Sequence, residues 1–302
     1  MDEGDADKET TMLSTNNKYV GLLYLSPALL FVAVFVFYPL VQLVMISMTS
    51  ESLLGGGEFV WFDNYLLAFS DRSFWMSFWF TVRYTLIITP ILMILGFLLA
   101  LLTMQNRPLA QLTRGVVFLP VVIGLASSSL LWVWLFDQQV GLLNKALVDI
   151  GVLEEPMVWF NRSHLGMTAV IVSVVWKVVG FGMIIMLSGM QSISHEVVEA
   201  SMIDGASYWQ RVRKIILPLS ARSILLATLI SAIGSMLAFD QFYLMTGGAP
   251  RGQTFTSVYW IYQNSFVYFK LGYGSALSII LMVVIMAGAA LQIALQRRGE
   301  TA

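Results

Sequence analysis

Apolar residues run along the chain in six long stretches, at about 19–46, 79–104, 115–136, 165–189, 222–245 and 272–296. A helix needs roughly 20 apolar residues to cross the core of a bilayer, and each stretch is long enough. Polar and charged residues collect between them. The pattern predicts an all-α polytopic membrane protein with six transmembrane helices. It forms one domain over 19–296, preceded by an acidic tail over 1–18 and followed by a short tail over 297–302. No internal repeat is visible. Gly55-Gly56-Gly57 marks a flexible turn in the connection 47–78, which is too short for a domain of its own. The first stretch does not read as a cleaved signal peptide: it is too long, its leader is acid-rich and no A-x-A-like site follows it. Pro39, Pro90 and Pro120 lie inside stretches and are expected to kink them.

Composition sharpens this picture. Of 302 residues 58% are apolar and 12% charged, about half the charge of an ordinary soluble domain. The mean hydropathy is +0.77. Disorder, collagen, coiled coil and a normal soluble enzyme are excluded. A formal net charge of −1 gives no electrostatic case for nucleic acid. Cysteine is absent and the only histidines are His164 and His195, so no metal centre is expected.

Lysines and arginines set the orientation. Lys8, Lys18, Arg107, Arg114, Arg211, Arg213, Lys214, Arg222, Arg297 and Arg298 fall on one side. Arg72, Arg83, Lys145, Arg162, Arg251 and Lys270 fall on the other, with Glu51, Glu58, Asp63, Asp71, Asp137, Asp149, Glu154 and Glu155. The first side is therefore expected to be cytoplasmic and to hold both termini. Trp61, Tyr65, Trp75, Trp79, Trp132, Trp134, Trp159, Tyr259, Trp260 and Tyr262 edge the outer loops and read as an interfacial belt. For Trp132 and Trp134, packing inside the bundle is an equal alternative.

The cytoplasmic loop 190–221 carries the most specific pattern. Ser194 is placed to cap a helix with Glu196 in its first turn. Gly205 is placed to stop that helix near Asp204. Ser207 and Gln210 form a capping box for a second helix, and Pro218 marks its end. Ala200, Ser201, Gly205 and Ala206 put small side chains at the corner, where another surface can approach. A tight turn within this chain alone fits the same pattern.

This loop resembles the signature of ABC importer permeases, Glu-Ala-Ala, then Gly, then Ile-x-Leu-Pro. Glu199, Ala200, Gly205, Ile215, Leu217 and Pro218 match it, and Ser201 departs from it. Most of the chain resembles the carbohydrate branch, of maltose and glycerol-phosphate type. The further segments are Trp61-Phe62-Asp63-Asn64-Tyr65, Arg114-Gly115-Val116-Val117-Phe118-Leu119-Pro120, Gly141-Leu142-Leu143-Asn144, Val174-Val175-Trp176-Lys177, Ile203-Asp204-Gly205-Ala206 and Phe239-Asp240. Thr246-Gly247-Gly248-Ala249-Pro250 carries an extra Ala249, and the large periplasmic insert of some maltose-type permeases is missing. The resemblance implies a type I ABC importer permease fold in a bacterial or archaeal inner membrane. It implies import of a sugar, oligosaccharide or sugar derivative, glycerol phosphate and its diesters included. The expected partners are membrane lipid, a second permease in a heterodimer, two copies of a cytoplasmic ATPase, and a periplasmic or lipid-anchored solute-binding protein. The loop, with Asp204 and Ala206, would be the coupling helix on the ATPase. ATP and Mg would be used by that partner, and no cofactor is expected on this chain, which lacks the G-x-x-x-x-G-K-[ST] loop.

Lys177 and Asp240 are charges within apolar stretches, where an ion costs a few kcal/mol without a partner or water. Both are candidates for the translocation pathway or for structural pairing. Ser231, Ser235, Gln241, Tyr243, Tyr273 and Ser275 are further pathway candidates, each also readable as packing between helices. An ATP-independent secondary transporter or channel is the alternative, and it predicts an intramembrane acid relay and paired repeats.

Overall fold

The computed structural model describes residues 18–105 and 107–300, with side chains over 24–105 and 107–295. Helices dominate: α1 (Lys18–Val32), α2 (Tyr38–Ser47), α3 (Asp63–Ser70), α4 (Arg72–Thr103), α5 (Pro108–Val122), α6 (Leu125–Leu135) and α7 (Leu142–Asp149). They continue as α8 (Ser163–Gln191), α9 (His195–Ile203), α10 (Tyr208–Arg211), α11 (Leu217–Leu219), α12 (Ala221–Met236), α13 (Ser257–Tyr262) and α14 (Leu271–Glu300). Among the described residues, β pairing is limited to one bridge between Thr49 and Phe59.

Four helices are long and apolar enough to cross a membrane: Tyr24–Ser47, Arg72–Thr103, Ser163–Gln191 and Leu271–Leu295. Two bent pairs raise the number to six if each counts as one span. The stretch expected as one span over 115–136 is broken, because α5 and α6 meet at 99° across Ile123 and Gly124. The stretch expected over 222–245 is broken too. Helix α12 ends at Met236 and joins a π turn over Phe242–Thr246 through residues 237–241. At α12's other end, residues Tyr208–Leu219 bend away by 68°.

Prolines act locally. Helix α4 runs through Pro90 without a break. A π turn over Ala33–Phe37 joins α1 to α2, and the Tyr38 N–H closes it on the Ala33 carbonyl, one residue before Pro39. The same arrangement recurs at Val212–Ile216, where the Leu217 N–H reaches the Val212 carbonyl just before Pro218. Proline has no N–H to give and its ring crowds the preceding turn, so a widened turn there relieves both problems.

The core lies where α4 packs against α8, flanked by α5, α6 and α12. Tyr84, Ile88 and Leu92 of α4 meet Val170 and Val174 of α8, with Phe242 edge-on to Tyr84 at 5.0 Å. Met183, Met186 and Met190 form a fully buried column lower on α8. Trp132 is buried against Phe136 and Trp176, whereas Trp134 stays exposed, so the two part company. The first span is unburied within the chain and exposes its apolar side chains.

Candidate functional site

Helix α9 and the turn after it stand out from the body of the chain. Ser194 occupies the N-cap position, but its hydroxyl makes no capping bond. At the other end the Gly205 N–H bonds the Met202 carbonyl at 3.1 Å and the Ala206 N–H bonds the Ser201 carbonyl at 3.0 Å. This pair of bonds is a Schellman ending, and it requires the left-handed φ of +78° that Gly205 adopts. The capping box is complete: the Ser207 N–H donates to the Gln210 side chain at 2.7 Å and the Gln210 N–H to the Ser207 hydroxyl at 3.4 Å. Chain reversal is therefore fixed locally, by residues legible in the sequence.

The corner sorts its side chains by face. His195, Val198 and Met202 line a cavity of about 720 Å³ against Leu101, Met190 and Tyr208. Ser201 also turns inward. It is buried, and its hydroxyl donates to the Val198 carbonyl at 2.6 Å. The expectation that Ser201 faces a partner surface is thus not met: the small residue there serves packing within this chain. Glu199, Ala200, Asp204 and Gly205 face outward beside Ile203, which is 87% exposed, and Ala206 is half-buried. Trp209 is exposed next to them. Ile215 is half-buried, and Leu217 and Pro218 are exposed on the returning limb.

The candidate pathway residues do not form one cluster. Lys177 is 6% exposed and its ammonium donates to the carbonyls of Pro120 at 3.2 Å, Val121 at 3.3 Å and Ile123. These carbonyls lose helical partners where α5 breaks, and a cation at a helix C-terminus also suits the dipole. Lys177 is thus a clamp on the 99° bend. Tyr273 is buried and donates to Asp71 at 2.7 Å, which makes it a tie between α14 and the start of α4. Ser235 is buried with its hydroxyl on the Ser231 carbonyl at 2.7 Å, and Ser275 is buried in α14. Ser231, Asp240 and Gln241 are partly accessible and Tyr243 is exposed. Asp240 lies beyond the end of α12, at the start of the helical turn that leads into Phe242–Thr246.

Next to Asp240 in the chain, three aromatic rings pack together. Phe239 stacks on Tyr243 at 5.2 Å and 22°, and Tyr262 approaches both at 5.2 and 5.4 Å. Such rings offer an apolar face with hydroxyl tips. Sequence reasoning did not single out Phe239 or Tyr262 for the pathway: Phe239 sits four residues before Tyr243 on the same helical face, and Tyr262 comes to both from the end of α13.

Three polar residues outside both candidate groups hold the frame. Asp71 accepts from the Ser73 N–H at 2.8 Å, the Trp260 indole at 3.3 Å and the Tyr273 hydroxyl. Asn144 bonds the Asp137 and Met157 carbonyls at 3.0 Å and accepts from the Trp159 indole at 3.0 Å. Arg114 closes the end of α4 on the Thr103 carbonyl.

Comparison with known proteins agrees with this architecture. Residues 92–300 match the family model for the binding-protein-dependent transport system inner membrane component. The sulfoquinovosyl glycerol transport system permease protein SmoG of Agrobacterium fabrum is 33% identical over 95% of this chain and 93% of its own length. The trehalose/maltose transport system permease protein MalF of Thermococcus litoralis is 30% identical over 92% of this chain and 94% of its own. The lactose transport system permease protein LacF of Rhizobium radiobacter is 30% identical over 92% and 96%. One chain of a bacterial ABC transporter involved in import of the acidic polysaccharide alginate superposes with a TM-score of 0.83 at 21% identity, over 95% of this chain and 99% of that one. A second alginate transporter structure, with a pentasaccharide-bound periplasmic protein, gives 0.82 over 93% and 96%, also at 21%. Fold, helix order and sequence agree: the chain belongs to the inner-membrane permease components of binding-protein-dependent ABC importers.

Proposed function

We propose that this chain is one permease of an ATP-driven importer of a sugar or sugar derivative, coupled to its ATPase through α9 and Gly205. The other subunits would be a second permease, two cytoplasmic ATPases and a solute-binding protein, with Mg-ATP bound by the ATPases. The supporting observation is the outward face of α9. Glu199, Ala200 and Ile203 stand exposed on a short helix whose end is fixed by Gly205 and whose other face lines the cavity against Leu101, Met190 and Tyr208. A rigid, small-residue corner with an apolar tip suits docking into a groove, and Glu199 offers a carboxylate to a basic group there. The sugar reading draws on the relatives' named substrates and on the packed rings of Phe239, Tyr243 and Tyr262, which suit a ring of C–H and O–H groups.

Gly205 provides the test. A Cβ there meets nothing within 4 Å, so only the backbone conformation opposes a side chain. Gly205→Val should strain the turn by about 1–2 kcal/mol and misdirect α9, abolishing transport while insertion and permease pairing survive. Gly205→Asn tolerates the left-handed conformation, so it should keep the fold and isolate the docking contact. Normal transport by both variants would contradict the coupling role. Asp240→Asn should alter transport or selectivity with assembly intact, and unchanged transport would remove Asp240 from the pathway.

A further inference from the structure

The first turns of α4 carry a feature that neither the coupling corner nor the pathway candidates include. An open groove of about 520 Å³ is bordered by Arg72, Trp75, Trp79 and Arg83 of that helix and by Gln253. Arg72 and Arg83 lie about 16 Å apart along the axis, yet both reach the same groove. Neither guanidinium has a hydrogen bond or a carboxylate among the described residues; Arg83 lies over the Phe80 ring at 5.7 Å. The neighbouring Asp71 is engaged with Ser73, Trp260 and Tyr273, and no acidic residue borders the groove. Beyond Arg83 the same face of α4 continues as Leu86, Pro90 and Ile94, all apolar and exposed.

An uncompensated guanidinium at the edge of a membrane-crossing helix calls for an anion. The apolar strip directly below calls for a hydrocarbon chain. One molecule supplies both. We propose that this groove binds an anionic phospholipid, its phosphate between Arg72 and Arg83, its headgroup against Trp79 and one acyl chain along Leu86, Pro90 and Ile94. A soluble anion would satisfy the arginines and leave the strip bare. A second permease would have to bring a carboxylate to the groove.

The test uses the assembled transporter in nanodiscs of phosphatidylcholine with increasing phosphatidylglycerol brominated on its acyl chains. Tryptophan quenching is compared with that of the Trp79→Phe variant, which isolates the signal at the groove. Binding should half-saturate at a low phosphatidylglycerol fraction. The double variant Arg72→Gln, Arg83→Gln should need roughly thirtyfold more. The double lysine variant should stay close to the parent, because it keeps both charges. Co-purification of the partner subunits with each variant reports an intact fold. Millimolar glycerol phosphate should not displace the lipid, and displacement would identify a soluble anion as the ligand instead. Equal quenching by brominated phosphatidylcholine, no change in the glutamine variant, or a photocross-link from Met76 to the second permease would each overturn the proposal.

Discussion

An ammonium group in the middle of an apolar helix has to be held, and three carbonyls hold Lys177. Lys177→Met should leave them without that donor and destabilise the solubilised protein by about 2–3 kcal/mol, read from thermal unfolding. Protein that still folds should transport with unaltered selectivity. A stable variant with changed selectivity would return Lys177 to the pathway. Gly180, one turn further along α8, lets that helix close on the middle of α5. A Cβ there would run into the Val117 carbonyl, so Gly180→Ala should cost about 1–3 kcal/mol through overpacking. Outside the spans, the N–H groups of Val140 and Gln139 hold the Asp137 carboxyl below its ordinary pKa. A group depressed on folding stabilises above its unfolded pKa of about 3.9 and loses that effect as pH falls through its folded value. Amide exchange at Gln139 and Val140 should therefore quicken as the turn is acidified below about pH 4, beyond the ordinary pH dependence of exchange. Asp137→Asn should abolish this extra response.

At the scale of elements, the pairing of a π turn with the proline after it makes Pro218 a register device. Pro218→Ala removes the reason for the widened turn at Val212–Ile216. Regular α-helix there would rotate α9 and α10 against the body by about 100° for the residue gained. Transport should fall while α12 stays folded, measured as uptake alongside exchange protection of α12. These elements also mark what the sequence made legible. The long apolar stretches became α4, α8 and α14, and the Ser207–Gln210 box and the Gly205 stop lie where spacing put them, because both are local chemistry. Pro120 marked its stretch for a kink, but the sharpness of the bend at Ile123 and the break after Met236 were hidden, because both depend on partners further along the chain. Lys177 takes up the broken end of α5, and the Thr256 hydroxyl donates to the Ala238 carbonyl at 2.7 Å. Of the two readings open for Tyr273, packing between helices is the one with a visible partner. Its hydroxyl is matched to Asp71, 202 positions away.

For the whole molecule, orientation and the proposed coupling stand or fall together, since coupling would need α9 in the compartment that holds ATP. Reporter fusions at Gly56, Asp149 and Gly252 should read as external and one at Ala206 as cytoplasmic. A cytoplasmic signal at Gly252 would invert the assignment. The absence of native cysteine allows a more direct measurement. A single cysteine at Ile203, the most exposed apolar position of α9, can be tested for disulfide cross-linking to cysteines along the groove of the co-expressed ATPase, with and without ATP. The coupling account predicts efficient cross-linking whose pattern changes with nucleotide, and little from a cysteine at the buried Ser201. No cross-link from position 203 in either state, in a transporter that still imports, would contradict it.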